Sequence, residues 1–226
     1  MKLAGITVAV ALAAAGMAQG AIYTDTQNEI FDNNHAHLDI ASVLVTHDAS
    51  TITFEITTRG DVSNPTWGKY MIAINGAGGA NDAGNGWGRP ISWNGQGIDF
   101  WVGTWADDGG SNFGGELRQM DGFGGNTLLA ATYAGPGISG SSLTTQVVTL
   151  SRSLLGLTSD GTFYFDVMSS GGGNDPGVDH LSRSDMATND WGVPSSSGQF
   201  LAYTIPSPGS IALLGLGGLA LARRRR

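Results

Sequence analysis

The chain contains no cysteine. That absence excludes disulfides, thiolate zinc sites and cysteine nucleophiles. Positive charge is scarce as well: 11 Lys and Arg stand against 19 Asp and Glu, and Lys2, Arg223, Arg224, Arg225 and Arg226 belong to the two ends. The body between keeps six basic residues against all 19 acids, a balance of −13. Such a surface repels phosphate backbones, which argues against nucleic acid as a partner. Such a charge serves either to attract cations or simply to keep the protein soluble. No stretch matches a G-x-S-x-G elbow, an H-E-x-x-H zinc helix or a phosphate-binding G-x-x-x-x-G-K-[ST] loop. The middle has no sustained helical period, no repeat of 20–50 residues and no three-residue glycine period.

What the middle does have is alternation of period two, the signature of half-buried strands. "DIASVLVTH" (39–47) and "TITFEITT" (51–58) flank a three-residue turn and predict a hairpin. "KYMIAIN" (69–75), "IDFWVGTW" (98–105), "VVTLS" (147–151), "TFYFDVMSS" (162–170) and "QFLAYT" (199–204) are further strands, with weaker patterns in "GELRQM" (115–120) and "LLAATY" (128–133). Only "RSLLGL" (152–157) hints at a helical turn. Much of the 36-residue glycine complement lies between these runs, in "NGAGGANDAGNGWGRP" (75–90), "ADDGGSNFGG" (106–115) and "SSGGGNDPG" (169–177). Glycine tolerates positive φ and Asn and Asp build turns, so these stretches are expected to be connections. The expected fold is all-β: one antiparallel, jelly-roll-like β-sandwich over residues 21–205.

The two ends read differently. "MKLAGITVAVALAAAGMAQGA" combines Lys2, an apolar stretch and the small-x-small pattern Ala18-Gln19-Gly20. This is the layout of a cleavable signal helix over residues 1–20, handed to a secretion translocase. The chain closes on "IPSPGSIALLGLGGLALARRRR". Its apolar run, 211–222, would make about 18 Å of helix, short of a ~30 Å hydrocarbon core. The run is apolar all round, unlike a surface helix of a soluble domain. The terminal arginines favour the cytoplasmic side.

Proline motif, short apolar helix and arginine cluster, in that order, resemble the PEP-CTERM sorting signal of bacteria. Pro206, Ser207, Pro208 and Gly209 match the motif region, with Ser207 between the prolines, and Arg223 to Arg226 match the basic end. The resemblance implies transient retention at the inner membrane. An exosortase, a membrane-embedded cysteine transpeptidase, would then remove residues 206–226 and release the protein to the cell surface or matrix. The order of strands in the middle is similar to family-nine carbohydrate-binding and DOMON-like domains, with an early hairpin, then "KYMIAIN", "GIDFWVGTW", "VVTLSRSLLGL" and "FYFDVMSS". That resemblance implies a sandwich and carbohydrate or polysaccharide binding.

Candidate ligand residues follow from these patterns. In "IDFWVGTW", Asp99, Trp101, Gly103 and Trp105 fall on the face opposite Ile98, Phe100 and Val102. Two flat rings beside a carboxylate suit stacking on sugars; the other reading is core packing on a strand covered on both faces. Trp67, Trp87 and Trp93, in or near loops, would form a rim. His35, His37 and Asp39 share one parity in "HAHLD", a donor set suited to zinc or copper, or else a solvated loop. Asp82, Asp107, Asp108, Asp175 and Asp179 lie in oxygen-rich loops of the kind calcium uses, or are turn-forming acids. No other cofactor is expected. Asp179-His180 has no evident nucleophile beside it and reads as structural. The function expected is that of a non-enzymatic exported surface protein, with carbohydrate as its candidate ligand. The alternatives are a secreted polysaccharide-acting enzyme or a self-associating structural protein.

Overall fold

A computed structural model of the protein describes residues 19–64, 67–76, 81–107, 112–132, 138–139, 144–158 and 160–206. The expected signal segment up to residue 18, Asp108, and the tail from Ser207 through Pro208, Gly209 and Arg223 to Arg226 lie outside the described residues. The described chain runs β1 (Gln19–Thr24), one turn of 3-10 helix (Ala36–Leu38), β2 (Ile40–His47), β3 (Thr51–Thr58), β4 (Trp67–Asn75) and β5 (Ile91–Ser92). It continues through β6 (Phe100–Asp107), β7 (Asn112–Met120), β8 (Asn126–Thr132), β9 (Ile138–Ser139) and β10 (Thr145–Ser151). The last strands are β11 (Gly161–Ser170), β12 (Asp179–His180), β13 (Ser195–Ser196) and β14 (Leu201–Ile205). The protein is therefore all-β.

One sheet has five strands in the order β1-β2-β3-β10-β9. A second has seven: β12-β11-β4-β6-β7-β8, with β14 also pairing β11. All pairs in both are antiparallel, whereas β5 and β13 form a separate parallel pair. The expected hairpin is β2–β3. Its turn closes on Asp48, whose carboxylate accepts the Ser50 and Thr51 N–H groups, both at 2.7 Å. Those donors stabilise the anion and draw its pKa down to about 2.

The period-two pattern sends one set of side chains from each sheet into a shared apolar cluster. Val43 and Val45 of β2 and Ile52, Phe54 and Ile56 of β3 meet Ile72 and Ile74 of β4, Phe100 and Val102 of β6, and Phe163, Phe165 and Val167 of β11. Phe54 and Phe165 touch edge to face at 5.4 Å between ring centres, one from each sheet. Alternation thus fixes register, because a one-residue slip would turn each apolar set to the other face.

The seven-stranded sheet is also covered on its far side. Met71 and Ala73 of β4, Trp101 of β6 and Met168 of β11 join Ile91, Trp93, Ile98 and Phe200 in a second apolar cluster, with Trp87 against it. This layer comes from the glycine-rich stretch after β4 and from the approach to β14. The expectation that "NGAGGANDAGNGWGRP" is only a connection is corrected here: Asn85 and Arg89 are buried. Glycine is what lets the layer sit so close. A Cβ on Gly103 would fall 2.1 Å from Trp87 Cζ2, and one on Gly86 would fall 2.4 Å from Trp101 Cδ1.

Candidate functional site

The chain between β1 and β2 carries three acids, Asp25, Glu29 and Asp39, that converge with a fourth, Asp179 of β12, on one end of the two sheets. Asp25 follows β1 directly, and its N–H bonds the Ala41 carbonyl at 3.1 Å, at the irregularity in β2 where the register shifts between Ile40 and Ser42. Glu29 follows one turn later. Asp39 ends the 3-10 turn, with no side-chain exposure; its Oδ2 accepts Arg59 Nε at 2.6 Å and the Asn28 N–H at 2.9 Å. Asp179 opens β12 on the other sheet, and its Oδ2 accepts the Ile40 N–H of β2 at 2.6 Å. One oxygen from each of Asp25, Glu29 and Asp179 lies within 4.8 Å of the others.

These carboxylates are short of partners. Asp25 Oδ2, both Glu29 oxygens and Asp39 Oδ1 are buried with no hydrogen-bond donor. Glu29 and Asp179 lie close enough for a proton on one carboxyl to bridge to the other; with both ionised that bridge is lost and neither Glu29 oxygen has a donor. Burial, reinforced by the neighbouring negative charges, pushes the Asp25 carboxyl up to about 8 and raises Glu29 and Asp179. A buried carboxylate without a donor is costly, so the cluster demands either protons or positive charge. An open groove of about 390 Å³, lined by residues 24–26 and 181–184, adjoins Asp25.

Beside this end stands a corner of aromatic rings. His35 lies 5.0 Å from Trp67 and 5.5 Å from Trp191; Phe31 lies 5.1 Å from Trp191, and the two tryptophans lie 5.9 Å apart, all edge to face. All four rings are partly exposed. The two tryptophans meet over Gly171, where a Cβ would fall 3.1 Å from Trp191, 3.2 Å from Trp67 and 2.3 Å from Asp175 Oδ2. Asp175 is held by buried Arg89, which donates to the Asp175 carbonyl at 2.8 Å, to the Gly171 carbonyl at 3.1 Å and to Ser170 Oγ at 2.7 Å. His37 sits behind Trp67, and burial pulls its pKa down to about 4.

A third group is a line of hydrogen bonds behind β12. Ser195 Oγ is 3.1 Å from His180 Nε2, and His180 Nδ1 is 2.7 Å from Asp166 Oδ2. The order is that of a nucleophile, a base and an orienting acid. Ser195 is only 2% exposed, however, and its oxygen also accepts the Gly177 N–H at 3.1 Å. Asp166 accepts Ser197 Oγ at 2.7 Å and the Ser182 N–H at 3.0 Å, so the line binds the segment around β13 to β11 and β12.

The residues singled out from sequence are dispersed. Trp101 and Trp93 are buried in the outer layer, and Trp105 is half-buried on β6, so of the two readings of this face the core-packing one holds for Trp101 and the sugar-stacking one does not. Trp87 packs on Gly103 and donates its Nε1–H to Glu116. Asp99 is buried and accepts the Gly76 and Asn81 N–H groups at 2.7 and 2.8 Å. Asp82 accepts the Gly84 and Gly124 N–H groups at 2.7 and 2.8 Å, a loop fastener. Asp107 pairs with Asn112 across β6 and β7, far in the fold from β12. Of the five loop acids only Asp179 joins a carboxylate cluster among the described residues. The 3-10 turn breaks the shared parity of "HAHLD": His35 turns to Asp32 at 3.2 Å, while Asp39 turns to Arg59. Asp25, Glu29, Trp191 and Ser195 carried no local motif. Among the described residues no helix is long and apolar enough to cross a membrane. No family model, no curated protein and no solved structure matches the chain.

Proposed function

We propose that this is an exported, non-enzymatic β-sandwich protein of the cell surface or extracellular matrix, sorted through a PEP-CTERM-like tail, that binds carbohydrate at its aromatic corner. The sandwich reading is supported by the apolar cluster to which both sheets contribute. The binding reading is carried by one observation: Trp67 and Trp191 are partly exposed and converge on Gly171 beside the Asp175 carboxylate, with His35 edge to face against both. Sugar C–H faces pack on aromatic rings, and a carboxylate accepts hydroxyls in fixed directions. The corner replaces Trp101 and Trp105 as the place for such a ligand. Export, translocase and exosortase rest on the sequence of the two ends.

A polysaccharide pull-down with the full-length protein tests the ligand. Trp191→Ala and Asp175→Asn should each weaken retention by about tenfold, while Trp105→Ala should leave it unchanged. Retention on no polysaccharide would remove the ligand from the reading. Mass spectrometry of the surface-recovered protein tests sorting: residues 206–226 should be missing. The enzymatic alternative has one observation in its favour, the Ser195–His180–Asp166 line. Labelling of Ser195 by a fluorophosphonate probe would establish it; the non-enzymatic reading expects none, because that hydroxyl is buried.

A further inference from the structure

We propose that Asp25, Glu29 and Asp179, with Asp39 behind them, form a binding site for a divalent cation of the calcium class that ties the five-stranded sheet to the seven-stranded one. Two independent observations carry this. The first is convergence: three carboxylate oxygens from two distant parts of the chain, 25–29 and 179, lie within 4.8 Å of one another. Calcium holds oxygens at 2.3–2.6 Å, so ligands on one ion stand up to about 5 Å apart. The second is want of a partner. Asp39 has no side-chain exposure, and its Oδ1 has no donor; Asp25 Oδ2 and both Glu29 oxygens are likewise buried and unpaired. Asp39 adds to the negative charge that raises all three of the other acids.

Charge gives the same answer. Four carboxylates face one guanidinium, that of Arg59, which is committed to Asp39 and to the Asn33 carbonyl. Ionised, the group carries −3, and a dication reduces that to −1. The donors are all carboxylate oxygens, which suits a hard ion and disfavours zinc or copper. The groove lined in part by Asp25 opens on one side of the cluster, and the remaining positions of a six- to eight-fold coordination sphere would fall to water. The sequence suggested two metal sites: of His35, His37 and Asp39 only Asp39 is retained, for a different ion, and of the five loop acids of the calcium suggestion only Asp179 joins the cluster among the described residues.

Position gives the ion its consequence. Asp25 leaves β1, Asp179 begins β12, and Glu29 lies on the connection between β1 and β2. The cation would therefore fasten the segment 25–39 at both ends, and that segment carries Phe31 and His35 into the aromatic corner.

The test uses the full-length protein, stripped with EGTA and titrated with calcium chloride in a calorimeter and in thermal unfolding. Saturable binding near one ion per chain is expected, with the unfolding midpoint rising by roughly 5–10 °C at a hundredfold excess over Kd. Magnesium should bind at least tenfold more weakly, because it demands shorter and more regular coordination. The double variant Asp25→Asn/Glu29→Gln should lose the calcium response and, with its repulsion relieved, unfold at a higher temperature than the stripped wild type. This gain keeps the test meaningful, since a variant that simply failed to fold would show the opposite. No saturable binding to the wild type, or unchanged binding to the double variant, would overturn the site. No glycan enters the experiment, so its outcome is separate from that of the carbohydrate reading.

Discussion

The outer tryptophan layer and the acidic end cover the same protein in opposite ways. Over the far face of the seven-stranded sheet, Trp93, Trp101, Met71, Met168 and Phe200 bury one another, and glycine provides the clearance. Trp101 Nε1 and Arg89 Nε have no partner there, but Arg89 makes three other hydrogen bonds to the protein and Trp101 is neutral. At the acidic end, four unpaired oxygens belong to ionisable carboxyls, with one guanidinium to balance them. An unpaired neutral donor costs on the order of 1–3 kcal/mol, whereas an unpaired buried charge costs several. The first region is complete with what the chain itself provides. The second is complete only with something added.

Breaking the complete region should have the largest effect. Trp101 is fully buried between Trp87, Trp93 and the sheet. Trp101→Ala should lower stability by about 3–5 kcal/mol, read from urea unfolding, because the cavity cannot be refilled from solvent. Calcium should raise the midpoint of this variant as much as that of the wild type, since the two regions share no residue. A loss of calcium response in Trp101→Ala would show the regions to be coupled and dissolve the contrast.

The difference between the regions also explains what could be read from sequence. Strand alternation in 51–58 and 98–105 gave the buried sets of β3 and β6, and the Asp48-Ala49-Ser50 break gave the hairpin. Periodicity reports the face of a strand, but it says nothing about what lies on top of that face. Trp101 was placed on the correct side of β6, but the choice between sugar stacking and core packing stayed open, because glycine-rich segments have no period to announce a covering layer. The acidic end was illegible for another reason. Asp179 is 154 positions from Asp25, and only the meeting of β2 with β12 unites them. A local search for calcium-loop spacing finds nothing in such a site. "TDTQNE" (24–29), with its acids four residues apart, held two of the ligands without a feature to mark them.

Arg59 sharpens the comparison at intermediate cost. It is the counter-charge to buried Asp39, and its removal leaves that carboxylate with one backbone donor. Arg59→Gln should destabilise the calcium-free protein by roughly 1–3 kcal/mol in urea. Added calcium should recover part of the loss, because positive charge is what is missing, and it should recover none of the loss in Trp101→Ala beyond the wild-type increment. Equal treatment of the two variants by calcium would mean that the acidic end has no special need for a cation.

The smallest effect separates the regions by pH. His37 lies between the acidic end and the aromatic corner, and burial, aided by neighbouring His35, holds its pKa down to about 4 against an ordinary value near 6.5. The unfolded chain therefore takes up this proton first. Stability from His37 is fully present above pH 6.5 and is lost as pH falls from there toward 4. The carboxyls of the acidic end run the other way, since the folded state holds their protons more tightly than the unfolded chain does. The wild type alone would show a blend of the two. His37→Phe keeps the ring against Trp67 and removes the titration. The variant's unfolding midpoint, subtracted from that of the wild type, should fall steadily from pH 6.5 to about 4 and level off below. A flat difference over that range would mean that His37 takes its proton as readily folded as unfolded, so that the ring meets solvent and the aromatic corner opens farther than its packing indicates.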